Sequence, residues 1–235
     1  MKLLLSSAAL PGASLAELTA ACQRRALAGL ELTLLRGHRH GVGERVDSSS
    51  PGISRDPDTP VEWLLLPEVC SAEELAPWAE IARDMRAGLL LREWPDAVPS
   101  GCRIALVHGS DPEDAQEAVA WAVETGVGTS WHIGDEGRDR DLLESILAIT
   151  RRRLVHVRLT GAGPEAGNEP GSTGTGLLMA KLALSGYTGS IALVPSASKR
   201  LPEWEEWLLL GRGWGCGTAA EKKDRKNGTR VTITL

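Results

Sequence analysis

The chain contains no phenylalanine, a single tyrosine and only four cysteines. Cys22, Cys70, Cys102 and Cys216 lie far apart with no C-x-x-C pair, which excludes a structural zinc site of the usual spacing and a dense disulfide framework. A reducing cytoplasm is the expected setting. The sequence also lacks a basic excess: the net charge is -5 and the pI about 5.6. The runs Arg151–Arg153 and Lys222–Lys226 are short and followed or interrupted by neutral or acidic residues, so nucleic acid is not an expected partner. No apolar run approaches the ~18 residues of a membrane span. The opening MKLLLSSAALPGAS has its apolar run at Leu3–Leu5 broken by two serines, and a helical pattern starts at once at Ser14. It reads as a first strand in preference to a secretory signal. Neither G-x-G-x-x-G nor G-x-x-x-x-G-K-[ST] follows a strand, which removes the main support for dinucleotide and P-loop sites.

What is present is alternation. With 42% hydrophobic residues the chain can bury a large core. Short apolar runs, LLLSS, LELTLL, VEWLLLPEV, AGLLLREWP, CRIALVHGS, VGTSWHI, LVHVRLTG and GSIALVPS, read as eight strands. Helical spacing appears between most of them. Leu15, Leu18, Ala21, Cys22 and Leu27 share a face, with Ser14 placed to cap and Gly29 to stop. Ser71 and Glu74 form a capping box before the next helix, and Pro112 sits near the start of a third. Patterns over 139–152, 174–186 and 201–210 complete the set. No segment reads as a β-hairpin, so the strands are expected to be parallel. The expectation is a (β/α)8 TIM barrel over residues 1–211, with shortened links after strands 2 and 4, and an open doubly wound sheet as the alternative. The stretch 36–60 loses all periodicity and reads as a long loop. Residues 212–235 read as a tail whose end, Val231–Leu235, alternates like a strand and hints at a homo-oligomer.

Two stretches carry a resemblance. SLAELTAACQRRALAGLELTL, a helix leading into a Gly-x-Glu-Leu-like strand, resembles the first helix and second strand of the sugar phosphate isomerase/epimerase group, the xylose-isomerase-like barrels. GTGLLMAKLALSGYTGSIALVP resembles that group's last helix and eighth strand. Between them WHIGD stands where the group has Asp-x-Gly-His, and VHVRLTG where it has His-Val-His-Leu-Lys-Asp. The resemblance implies a barrel acting on a small sugar or polyol with a divalent metal at the strand ends. This chain departs from it at three positions: Val107 and His108 stand in place of a glutamate, Arg158 in place of a histidine, and Val194 or Pro195 in place of a second glutamate. His132 and Asp135, in swapped order, are what is left of the ligand set. By donor type His132, Asp135 and His108 would suit zinc, manganese or magnesium, but the cation at 158 works against a dication. The expectation is therefore no metal and no other cofactor.

The candidate site residues follow from their strand ends. His132, Asp135 and Glu31 are the candidates for moving a proton. The alternatives are a strand-end turn for His132 and Asp135, and for Glu31 an ion pair with an arginine. Arg158 alternates with His156 on one strand face, with Val155, Val157 and Leu159 on the other. It is expected either to line the barrel mouth and grip a phosphate or carboxylate, or to pair with Glu31 or Asp135. His108 ends a strand and is expected at the mouth as a binding residue. Two functions follow: a sugar phosphate isomerase/epimerase-like enzyme, or a degenerate barrel that binds a sugar-like ligand or a protein without turnover. No membrane partner is expected in either case.

Overall fold

The computed structural model describes residues 1–8, 10–34, 59–66, 71–134, 140–160 and 175–194. Eight strands, β1 (Lys2–Ser6), β2 (Gly29–Thr33), β3 (Val61–Leu65), β4 (Gly88–Leu91), β5 (Arg103–His108), β6 (Gly128–Ile133), β7 (Leu154–Thr160) and β8 (Ser190–Val194), pair in parallel and in chain order. β8 closes on β1, with Lys2 opposite Ser190 and Leu5 opposite Leu193. This is the closed (β/α)8 barrel, so the open doubly wound alternative does not apply. Five helices are described: α1 (Leu15–Arg25), α2 (Ala72–Met85), α3 (Pro112–Thr125), α4 (Arg140–Thr150) and α5 (Thr175–Leu184). The link after β4 has no helix, as expected. The link after β2, the 201–210 pattern and the tail from 212 lie outside the described residues.

The helix ends obey local chemistry. Ser14 and Glu17 close a capping box on α1, and Ser71 and Glu74 close one on α2. Asp111 caps α3 ahead of Pro112, whose missing N–H is no loss at a first turn. α1 stops earlier than the glycine signal implied, because Ala26 takes the left-handed conformation (φ 51°) and its N–H bonds back to Cys22 and Gln23. Gly29 instead opens β2, where a Cβ would lie 2.3 Å from the Pro60 carbonyl oxygen.

Because side chains alternate across a strand, the barrel wall separates two cores. Outside it, Leu5, Leu30, Leu64, Leu106, Trp131, Val157 and Ile191 pack against Leu18, Cys22, Leu75, Ala118, Ile146 and Leu182 of the helices. Inside it lie Leu4, Trp63, Leu65, Leu90, Ala105 and Ala192, with Val107 against them. Trp63 needs Gly88 beside it, since a Cβ there would meet the indole at 2.3 Å. From β3 the indole reaches across to β8, where its Nε1–H donates to Ser190 Oγ at 2.8 Å. Among the described residues no helix is long and apolar enough to cross a membrane.

Candidate functional site

Glu31 stands in the middle of a five-residue strand with every residue buried. A carboxylate there requires partners, and three converge on it. Ser6 of β1, two residues beyond Leu4 on the interior face, donates to Oε1 at 2.5 Å. His156 Nε2 and Arg158 Nε, both on the interior face of β7, meet Oε2 at 2.8 and 2.9 Å. Arg158 is 2% exposed and Glu31 0%. Burial by itself would raise the Glu31 carboxyl. The Arg158 charge, the His156 hydrogen bond and charge, and the Ser6 hydroxyl outweigh it, and the group is held well below the usual carboxylate range.

The cluster continues toward the barrel floor. His156 Nδ1 lies 2.8 Å from Ser190 Oγ, and the Trp63 and His156 rings are 5.3 Å apart, centroid to centroid. Burial pushes the His156 imidazole down, against the Glu31 hydrogen bond and charge that raise it. It is therefore neutral, and its tautomer follows from its neighbours. An indole N–H only donates and an ionised carboxylate only accepts. Trp63 thus donates to Ser190, the one hydroxyl proton of Ser190 goes to His156 Nδ1, and His156 Nε2–H donates to Glu31. Every proton in the chain is assigned. On the remaining side Arg158 Nη1 is buried without a partner among the described residues.

The structure sorts the expected site residues. Glu31 and Arg158 come together, and the pairing is the arginine partnership rather than two separate roles. His132 stands opposite Arg158 in the β6–β7 register, half-buried, with Nε2 2.6 Å from Thr160 Oγ1 at the end of β7. His108 goes elsewhere. It continues the alternation of Ile104 and Leu106, both in the outer core, while Ala105 and Val107 take the inner face. Its Nδ1–H donates to the Gly109 carbonyl at 2.8 Å, and burial pushes its imidazole down against the Gly109 bond and the Asp114 charge. The placement of His108 at the mouth is thus corrected by strand parity: ending a strand does not choose a face. Asp135 lies outside the described residues. His156, Ser6, Ser190, Trp63 and Thr160 were not singled out as site residues from the sequence. The signal was there in part, since Ser6, His156 and Ser190 are polar residues in buried strands.

A divalent ion of the kind the resemblance implies finds poor donors here. Among the described residues no three His, Cys, Asp or Glu side chains gather. Val107 packs against the apolar interior, Val194 is a buried valine ending β8, and Arg158 brings its own positive charge to the β7 position. Glu31, the nearby carboxylate, is already committed to that cation. The described residues do not fit such an ion.

No protein-family model matches the sequence, and no curated protein matches it either. Solved structures do match in three dimensions. The apo form of 3-keto-D-glucoside 4-epimerase YcjR from E. coli superposes with a TM-score of 0.58 at 12% identity, over 90% of this chain and 99% of that one. A xylose isomerase domain containing protein from Salmonella typhimurium LT2 gives 0.55 at 14%, over 88% and 94%. D-allulose 3-epimerase from Methylomonas sp., solved with D-allulose, gives 0.55 at 15%, over 89% of each chain. With the closed parallel barrel and its helices, these likenesses show the fold of the chain: a (β/α)8 TIM barrel similar to those of these proteins.

Proposed function

We propose that the protein is a sugar isomerase/epimerase-like barrel that binds a small sugar or polyol within the C-terminal half of its strands, against Arg158 and His132. The observation that carries this reading is the buried Arg158 Nη1, a guanidinium N–H with no partner among the described residues. An unsatisfied buried donor on a charged group is costly, and a ligand oxygen would satisfy it. The sugar epimerases that share the fold support the chemical class. In this reading His132 is the group that carries a proton to or from the bound sugar. Glu31 orients Arg158 instead of acting as base, because a carboxylate with so low a proton affinity is a weak one.

A panel of ketoses, aldoses and polyols tests the proposal by thermal stabilisation, since a ligand held by the fold and not by the unfolded chain raises Tm by mass action. At least one member is expected to do so, and His132→Ala and Arg158→Lys to weaken it. A panel with no stabilising member would refute the reading. The same fixed network favours a second reading, a barrel that binds such a ligand without turnover. Deuterium uptake from heavy water into the bound sugar separates the two: exchange at a carbon beside a carbonyl marks the isomerase/epimerase, and its absence with binding retained marks the binding protein.

A further inference from the structure

Among the described residues Glu31 and Arg158 are the two buried side chains that carry full charge, and they carry opposite signs. The imidazole between them and Ser190 is neutral and has both nitrogens engaged. The interior cluster is therefore electrically balanced: one negative charge, one positive, 2.9 Å apart, with the neutral Ser6 hydroxyl and His156 imidazole as the other partners of Glu31. A ligand arriving at Arg158 does not meet a bare cation. It meets a guanidinium whose field is largely cancelled by the adjoining carboxylate, plus the unused N–H at Nη1.

The two forms of a sugar fare differently against such a group. A carbonyl or hydroxyl oxygen accepts from Nη1 in a charge-assisted bond and brings no charge into the barrel. A phosphate dianion would be attracted by Arg158 and repelled by the adjoining Glu31, and would lose its hydration without an uncompensated cation to replace it. Resting on the function proposed above, we infer that the site takes the uncharged sugar and discriminates against its phosphorylated counterpart, with Glu31 as the residue that sets this selectivity by neutralising Arg158.

The experiment uses matched pairs, D-fructose and D-allulose against their 6-phosphates, with binding followed by calorimetry on the full chain. For the unaltered protein the free ketose of at least one pair is expected to bind about tenfold or more tighter than its phosphate, with little response to ionic strength. Glu31→Gln keeps the acceptor for His156 and Arg158 but removes the charge. It is expected to shift the preference about tenfold toward the phosphate, and that gain is expected to fade as salt rises. Arg158→Lys keeps the charge without the fork and is expected to weaken the free ketose. Should Glu31→Gln fail to fold, the salt series on the unaltered protein still decides, because binding led by an anion falls with ionic strength and binding of a neutral sugar does not. Tighter, salt-sensitive binding of a phosphate to the unaltered protein, lost in Arg158→Lys, would overturn the inference while leaving the Arg158 site intact. Failure of every sugar and sugar phosphate to bind would overturn both.

Discussion

Among the described residues two carboxylates, Glu62 and Glu31, are each met by two nitrogen groups, at different depths. At the floor Glu62 meets Lys2 Nζ at 2.5 Å and Arg103 Nη2 at 3.6 Å, and these cations are 56% and 53% exposed. In the interior Glu31 meets His156 and Arg158, neither more than 2% exposed. The composition is nearly the same, but the consequence differs. At the floor water competes for each charge and the pairs contribute little. In the interior no water competes, so the partners have to be complete and correctly oriented, and removing one leaves a charge stranded. Depth, rather than the pairing itself, separates a surface ornament from an element that fixes the strands β1, β2, β7 and β8 to one another.

Breaking the interior pair gives the largest expected effect. Arg158→Met leaves the Glu31 carboxylate buried with His156 and Ser6 alone. Stability is expected to fall by about 3–5 kcal/mol, which for a domain of this size lowers Tm by roughly 10 °C. Thermal or denaturant unfolding measures it. Adding Glu31→Leu to Arg158→Met removes the stranded charge, and the double variant is expected to recover about half or more of that loss. If the double variant were less stable by the sum of the two single losses, the interior pair would be behaving as independent contacts and the comparison would fail.

Acid sharpens the same contrast. The Glu31 carboxyl sits below its ordinary value of 4.5 in the fold, so its contribution is complete above that value and erodes as pH falls below it toward the folded value. His156 and His108 are both depressed below 6.5 by burial, so below 6.5 the unfolded chain takes up protons that the fold refuses. Stability is expected to decline from about pH 6.5 downward, by at most about 1.4 kcal/mol per pH unit for each proton, and to steepen below about 4.5. His108→Gln is expected to remove part of the first decline and leave the second. A Tm flat from pH 7 to pH 5 would contradict neutral burial of both imidazoles.

Much of this was legible in the sequence, and the reasons for the rest are physical. Strand and helix order was readable because parallel strands between two cores are apolar on both faces, and capping residues such as Ser14, Ser71 and Asp111 mark helix starts by local chemistry alone. Arg158 and Glu31 were readable as a possible pair, because an ionic residue in a buried strand has few solutions. The face taken by His108 was not, since it depends on where the β5 alternation begins, which neighbouring strands fix. The reach of Trp63 to Ser190 across the barrel depends on a pairing 127 residues apart in the chain. Nothing local in VEWLLL points to it. Likewise Ala26 ended α1 in a left-handed turn that sequence reserves for glycine.

The smallest expected effect tests the other arm of the comparison. Glu62→Gln removes the floor carboxylate charge, yet its partners have other holds. Arg103 Nη2 also donates to the carbonyl oxygens of Glu62 and Arg86, and its guanidinium carbon lies 5.0 Å from the Trp63 ring centroid. Lys2 extends into solvent and is rehydrated when its partner is lost. The loss in stability is expected to stay below about 1 kcal/mol at low salt and to shrink further near 1 M salt, where the screening length is only about 3 Å. Arg158→Met in the same salt series is expected to keep nearly its full effect, because a buried pair is screened by salt far less than an exposed one. Were Glu62→Gln as damaging as Arg158→Met, and equally indifferent to salt, burial would not be what distinguishes the two carboxylates, and the floor triad would have to be counted among the elements that hold the barrel closed.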